Sequence, residues 1–121
     1  MGGFFSALSF LAGGGTPAGQ GYQHISQDKA KEMMDEPGVV VLDVREQGEY
    51  DSGHIPSAVL LPVGGISRET AAAVIPSLES TVLVYCRSGS RSRMAAAALA
   101  RLGYSNVYEF GGILTWKYGV E

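Results

Sequence analysis

Hydrophobic residues in this chain fall into short, separated runs whose spacing predicts alternating strands and helices. Runs rich in β-branched and aromatic residues are typical of strands. The predicted strands are Tyr22–Ile25, Val39–Asp43, Ala58–Leu61, Thr81–Tyr85 and Val107–Phe110. The predicted helical segments are one that starts at Ser26 and stops at Pro37, a turn at Arg45–Tyr50, helices at Ser67–Val74 and Ser92–Leu102, and a short terminal helix through Trp116.

Two of the predicted strands, Val39–Asp43 and Thr81–Tyr85, are apolar almost throughout instead of alternating with polar residues. Continuous apolar strands are typical of parallel sheets that are covered on both faces. Because strands and helices alternate, we predict an α/β fold with a mainly parallel central sheet and helices on both faces. We expect one domain over residues 22–121, and we interpret Met1–Gly21 as a flexible, Gly-rich tail or the remnant of a leader.

Composition and charge narrow the classes of partner. The chain has 121 residues, 45% of them hydrophobic and 17% charged, with a formal net charge of −3. An acidic balance argues against nucleic acid as a partner. No apolar run reaches the roughly 20 residues that a transmembrane helix needs.

The N-terminal segment carries an apolar stretch, Phe4–Ala12, but the first basic residue is Lys29, whereas a secretory signal begins with basic residues. Met1, Gly2 and Ser6 also fit the loose myristoylation pattern. We expect a cytoplasmic protein, with an exported or membrane-anchored form through this segment as the alternative.

The only cysteine, Cys86, lies between the end of a predicted strand and the start of the helix Ser92–Leu102. Backbone N–H groups and the positive end of the helix dipole surround such a position, and both favour a thiolate over a thiol. A single cysteine excludes an internal disulfide, a zinc site built from several cysteines and a resolving thiol within the chain. We expect no metal and no cofactor.

The loop after this cysteine consists of Arg87, Ser88, Gly89, Ser90 and Arg91. Gly89 and the serines allow successive N–H groups to point inward and bind an anion. Arginines are normally unfavourable at a helix N-terminus, by about 0.3–1 kcal/mol each. An anionic Cys86 or an anionic substrate would offset that cost. The alternative is a buried structural cysteine beside solvated arginines.

Three motifs carry a resemblance to a known family. The first is Leu42–Glu46 followed by Glu49-Tyr50 and Gly53–Pro56, and the second is Val84–Ser92 around the cysteine. The third consists of Gly103-Tyr104, Val107-Tyr108, Gly111–Ile113 and Trp116. In this order and at this spacing, the motifs resemble those of the single-domain rhodanese-like sulfurtransferases from about Tyr22 to Glu121.

The resemblance implies that Cys86 attacks the outer sulfur of a donor such as thiosulfate, forms a persulfide and releases sulfite. It implies that the amides from Arg87 to Arg91 stabilise the persulfide, that Arg87 and Arg91 hold the anionic donor, and that an external thiol, cyanide or a protein cysteine accepts the sulfur. Asp43 and Arg45 are predicted supports: Asp43 would bond the cysteine loop or an arginine, and Arg45 could pair with Glu49. We expect His54 to have a structural role.

Several alternatives share this fold. Rhodanese-like phosphatases and some arsenate reductases carry a longer loop, with cysteine and arginine spaced C-x5-R, whereas Cys86 and Arg91 are spaced C-x4-R. The shorter loop should form a narrower cradle that suits sulfur better than phosphate. A persulfide carrier or sulfide-sensing module with little turnover also fits the sequence. A non-catalytic interaction domain fits less well because such members commonly lack the cysteine.

Overall fold

The computed structural model describes residues 21–121, so most of the predicted tail lies outside the described part of the chain. Five parallel strands form one sheet in the order β1-β5-β4-β2-β3. The strands are β1 (Tyr22–His24), β2 (Val40–Asp43), β3 (Val59–Leu60), β4 (Thr81–Cys86) and β5 (Asn106–Gly112). The α-helices are α1 (Gln27–Met34), α2 (Gln47–Asp51), α3 (Arg68–Val74) and α4 (Ser90–Arg101), and 3-10 turns lie at Val63–Gly65 and Ile113–Thr115.

Both faces of the sheet are covered, which confirms the predicted α/β architecture. Helices α3 and α4 pack on the first face, where they bury Ala71, Ala95 and Leu99. Helix α1 and residues of α2 pack on the second face, against Leu83 and Phe110. Each apolar strand thus has a buried environment on both sides, as its uniform composition predicts.

Side-chain alternation along β4 decides which face each functional group occupies. Val82, Val84 and Cys86 point into the core of the first face, whereas Leu83 and Tyr85 point into the core of the second. A register shift between β4 and β5 follows, after which Cys86 pairs with Gly112. Cys86 therefore lies at the carboxyl edge of the sheet, under the start of α4, and Tyr85 lies on the opposite side of the same strand.

Element boundaries differ from the predicted ones mainly around the cysteine loop. Helix α4 starts at Ser90 instead of Ser92, and β4 includes Cys86 itself. Gly103 follows the C-cap residue Leu102 with a φ of 107°. The terminal helix is a single 3-10 turn that stops at Thr115. None of the helices in the described part is long and apolar enough to span a membrane.

Candidate active site

Cys86 forms the floor of a tight loop between β4 and α4. Its side chain is only 1% exposed, and its sulfur accepts a hydrogen bond from the backbone N–H of Gly89 at 3.0 Å. Gly89 is the N-cap of α4, and its φ of 121° is a conformation that side-chain-bearing residues rarely adopt. The glycine thus allows the chain to turn back over the sulfur before the helix begins.

Burial has the largest effect on the pKa of the Cys86 thiol and raises it, because a buried anion loses its hydration. Hydrogen bonds act in the opposite direction: those of the Ser92 hydroxyl and of the N–H groups of Ser92, Gly89 and Ser88 lower the pKa. Together they outweigh burial, so the pKa of Cys86 lies below its usual value. The loop therefore favours the thiolate, which is the nucleophilic form of cysteine.

The last residue of β5 and the turn that follows it close one side of the loop. A Cβ atom on Gly112 would lie 2.0 Å from the backbone oxygen of Arg87 and 2.6 Å from the nitrogen of Ser88, so only glycine fits there. The N–H of Leu114 donates to the same Arg87 oxygen at 3.2 Å. The segment from Gly112 to Leu114, which is distant in sequence, thus fixes the backbone beside the cysteine.

The arginines around the loop have different environments. Arg91 donates two hydrogen bonds to Glu49, at 2.7 and 2.9 Å, and lies close enough to Cys86 for a thiolate to raise the pKa of its guanidinium further. The hydrogen bonds from Arg91 hold the pKa of Glu49 down at about 2, with help from the N–H of Glu46. Glu49 thus pairs with Arg91, and the predicted Arg45–Glu49 pair is wrong.

Arg87 and Arg93 are exposed, and neither has an ion-pair partner within residues 21–121. A guanidinium nitrogen of Arg93 lies only 3.2 Å from the position that a Cβ of Gly89 would occupy. The rim of the loop therefore carries two positive charges that no described acidic side chain neutralises.

Asp43 and Arg45 form a buried polar cluster with Tyr85 on the second face, away from the cysteine. Arg45 donates to both carboxylate oxygens of Asp43, at 2.7–3.1 Å, and the Tyr85 hydroxyl donates to Asp43 at 2.7 Å. Arg45 also donates to the backbone oxygen of Gly53 at 2.8 Å, and Tyr85 accepts from the N–H of Ile55 at 3.0 Å. Two partners were predicted for Asp43, the cysteine loop or an arginine, and the structure shows the arginine.

Sequence reasoning missed Glu109, a fully buried acid on β5. Its carboxylate accepts hydrogen bonds from the Ser92 hydroxyl at 2.9 Å and from the N–H of Gly111 at 2.6 Å, and its other oxygen lies 2.7 Å from Nδ1 of His24. The signal was present in the sequence, since Glu109 is a charge inside the apolar run Val107–Phe110.

The remaining histidine and a cavity on the second face lie apart from Cys86. His54 stacks on Tyr50 with the ring centroids 3.8 Å apart and bonds the Tyr50 backbone oxygen at 3.0 Å. A cavity of about 300 Å³ on the second face is lined by Met34, Ile55 and Trp116 among others. No group of three or more His, Cys, Asp or Glu side chains in residues 21–121 is arranged to hold a metal ion.

Comparisons of the sequence and of the structure with known proteins point to one and the same family. The family described as rhodanese-like domain matches residues 26–118. Thiosulfate sulfurtransferase GlpE of Coxiella burnetii is 35% identical over 97 residues, which cover 79% of this chain and 88% of that protein. A putative mitochondrial thiosulfate sulfurtransferase of Schizosaccharomyces pombe is 36% identical, over 73% of this chain and 70% of that protein.

Solved structures with the same architecture include a rhodanese-related protein from Thermoplasma volcanium. It is 30% identical to this chain, and the match covers 83% of this chain and 98% of that one with a TM-score of 0.70. A rhodanese with anions from E. coli is 32% identical, with a TM-score of 0.59 over 63% of this chain and 88% of that one.

Proposed function

The chain belongs to the rhodanese-like domain family, and on this premise we propose that it is a thiosulfate sulfurtransferase that works through a persulfide on Cys86. The observation that carries the proposal is the environment of the sulfur, which is buried at the floor of the loop and accepts a hydrogen bond from the N–H of Gly89. The donors around the sulfur lower the pKa of the thiol. Relatives named thiosulfate sulfurtransferase support the same activity.

In the first step, the Cys86 thiolate attacks the outer sulfur of thiosulfate. A sulfur–sulfur bond forms to Cys86, the original sulfur–sulfur bond breaks, and sulfite leaves with the bonding electron pair. The anionic persulfide that remains lies beside the first-turn amides of α4 and the N–H of Gly89, whose partial positive charges stabilise it. Covalent catalysis of this kind divides one transfer into two easier ones.

In the second step, an external thiolate or cyanide attacks the outer sulfur of the persulfide. The bond between the two sulfurs breaks, and its electron pair returns to Cys86 as the thiolate. Cys86 is the only cysteine in the chain, so the acceptor comes from another molecule. A small-molecule thiol, a protein cysteine or cyanide fits this chemistry.

We assign donor binding to the loop residues Arg87, Ser88, Gly89, Ser90 and Arg91. Arg87 has no acidic partner within the described chain, so its charge is available to attract an anionic donor. Arg91 acts from its pair with Glu49, which ties the first turn of α4 to α2 and leaves the guanidinium close enough to interact with Cys86. Asp43 and Arg45 support the sheet edge from the other face.

The loop length favours sulfur over phosphate. Four residues separate Cys86 from Arg91, and Gly112 closes the loop backbone from the side, which leaves a narrow cradle.

We propose further that residues 22–121 form the catalytic domain, that residues 1–21 are a tail or the remnant of a leader, and that the protein is cytoplasmic. Fractionation of cells that produce the full chain tests this last point.

Mass spectrometry after incubation with thiosulfate tests the mechanism. The wild type should gain the mass of one sulfur atom, and Cys86→Ser should gain none, while circular dichroism shows that the variant is folded. A wild type that stays unmodified, or a Cys86→Ser variant that gains the same mass, rules out the Cys86 persulfide. Steady-state rates with cyanide and with a thiol then separate an enzyme from a carrier, because a carrier would be persulfidated but turn over slowly.

A further inference from the structure

Glu109 is a fully buried carboxylate that the proposed sulfur transfer does not use. It lies on the first face of the sheet, between His24 of β1 and Ser92 of α4, and its neighbour across the ladder on β4 is the apolar Val84. A buried charge is costly unless hydrogen bonds satisfy it. Glu109 has contacts from Ser92, Gly111 and His24, so both of its oxygens are engaged.

The Ser92 hydroxyl connects this carboxylate to the cysteine loop. A serine hydroxyl has a single hydrogen to donate. Around Ser92 Oγ lie the backbone oxygen of Gly89 at 2.9 Å, a Glu109 oxygen at 2.9 Å and the backbone oxygen of Gly111 at 3.3 Å. The same hydroxyl is among the groups that lower the pKa of the Cys86 thiol, and the Gly89 residue whose carbonyl it contacts donates its N–H to the sulfur at 3.0 Å. Glu109 and the sulfur therefore compete for one hydrogen.

We propose that Glu109 is a positioning residue for Cys86, because its carboxylate holds the Ser92 hydroxyl and so sets how strongly that hydroxyl stabilises the sulfur anion. The role of Cys86 itself rests on the proposed function. A carboxylate attracts a donor more strongly than a neutral acceptor does. The Glu109 carboxylate, 2.9 Å from Ser92 Oγ, draws the Ser92 hydrogen away from the sulfur, which keeps the thiolate from becoming too stable to react.

His24 completes the arrangement on the solvent side. Its side chain is 68% exposed, and its Nδ1 lies 2.7 Å from Glu109 Oε1. In residues 21–121 it is the titratable group in direct contact with Glu109. It supplies the donor for the oxygen that Ser92 and Gly111 do not reach.

Glu109→Gln removes the charge while keeping the shape. The amide oxygen can accept from Ser92 and Gly111, and the amide nitrogen can face His24, whose Nδ1 accepts a hydrogen bond in its other tautomer. The Ser92 hydrogen is then less strongly held by residue 109. We expect the midpoint pH of Cys86 alkylation by iodoacetamide to fall by about 0.5–1 unit relative to the wild type.

Ser92→Ala shows whether Glu109 acts through the hydroxyl. The single variant should raise the alkylation midpoint, because the thiolate loses a donor. In the double variant with Glu109→Gln, the downward shift caused by the glutamine should largely disappear, which is the non-additivity expected of coupled residues. Glu69→Gln, which removes an exposed acid from the first turn of α3, serves as the matched control and should leave the midpoint unchanged.

An unchanged midpoint in Glu109→Gln, or an equal shift in the presence and absence of Ser92, would overturn the proposal. If Glu109→Gln does not fold, Ser92→Ala provides the test. An alkylation midpoint of Cys86 that does not rise in Ser92→Ala would also contradict the proposal. Alkylation does not require sulfur transfer. Thus failure of thiosulfate to modify the wild type would refute the proposed function, whereas failure of the alkylation shifts would refute the role of Glu109.

Discussion

Two polar clusters lie at the carboxyl edge of the sheet, on opposite faces, and they begin at adjacent residues of β4. Tyr85 points into a closed cluster with Asp43 and Arg45, in which every charged group is buried and bonded. Cys86 points into the loop under α4, where the sulfur is buried but the rim carries exposed arginines. One strand thus supports two different electrostatic environments.

The two clusters differ in the groups that accept their hydrogen bonds. In the closed cluster, the donors of Arg45 and Tyr85 face the Asp43 carboxylate and a backbone oxygen, so the charges are neutralised inside the protein. A buried ion pair is stable only when it is fully bonded in this way. In the loop, amides and a hydroxyl face one sulfur, whose ionisation they favour. A closed cluster stabilises the fold, whereas an incomplete one can bind and react.

The largest expected effect is on stability, from Asp43→Ala. This change leaves Arg45 buried without its partner, and breaking a buried pair in this way typically costs about 3–5 kcal/mol. Urea unfolding measures the loss. Tyr85→Phe is the milder companion, since it removes one donor from Asp43 and one acceptor from the Ile55 N–H, for about 1–3 kcal/mol.

If the two clusters are independent, the alkylation midpoint of Cys86 should be the same in Tyr85→Phe and in the wild type. A shifted midpoint with little loss of stability would show instead that the closed cluster tunes the cysteine, and the comparison would break down.

A smaller effect, on rate, should follow from Gly112→Ala. The new methyl would overlap the backbone of Arg87 and Ser88, so the loop must move away from β5. A displacement of about 1 Å at a reacting group can cost on the order of 100-fold in rate, and we expect a loss of that size in thiosulfate turnover.

The matched control for Gly112→Ala is Gly64→Ala, where an added Cβ meets nothing within 4 Å. Its turnover should remain close to that of the wild type. Equal rates in Gly112→Ala and Gly64→Ala would mean that the loop tolerates displacement and that its geometry matters less than its charge.

The fold was predictable because the central strands β2 and β4 are apolar almost throughout and because helices α1 and α3 begin at recognisable capping residues. Ser26 and Ser67, for example, cap α1 and α3 by accepting from the N–H groups of Lys29 and Thr70. The reactive cysteine was predictable for the same local reason, since its position between a strand and a helix follows from neighbouring residues. Such local sequence patterns can be interpreted without knowing which distant residues are in contact.

Side-chain partners across the sheet were not predictable in the same way. The pairing of Arg91 with Glu49 joins residues 42 positions apart, and the Ser92–Glu109 contact depends on how α4 lies over β5. Arg45, four positions before Glu49, was the predicted partner of Glu49. Packing excludes this pair, because Arg45 points to the second face, where Asp43 engages it.

The smallest effects on activity should come from substitutions of Arg87 and Arg91. They compare an arginine that has no acidic partner in the described chain with one that is paired with Glu49. Arg87→Ala should raise the KM for thiosulfate several-fold with little change in kcat, and the effect should shrink as salt screens the charge. Arg91→Ala should lower activity through the loss of its pair with Glu49 as well as through the loss of its charge.

Glu49→Gln separates these two contributions of Arg91, because it breaks the charged pair while keeping the arginine. If Arg91 works mainly by tying α4 to α2, Glu49→Gln should reproduce most of the loss seen in Arg91→Ala; if it mainly attracts the donor, the variant should bind thiosulfate as well as the wild type or better.

The assay at neutral pH is suitable because the pKa of Glu49 is lowered from 4.5 to about 2. A lowered pKa means that the pair stabilises the fold fully above about pH 4.5 and loses this contribution as the pH falls towards 2. Between about pH 4.5 and pH 2, the wild type should therefore lose stability that Glu49→Gln does not lose. Identical acid-unfolding profiles of the two proteins would show that the pair contributes little to the loop.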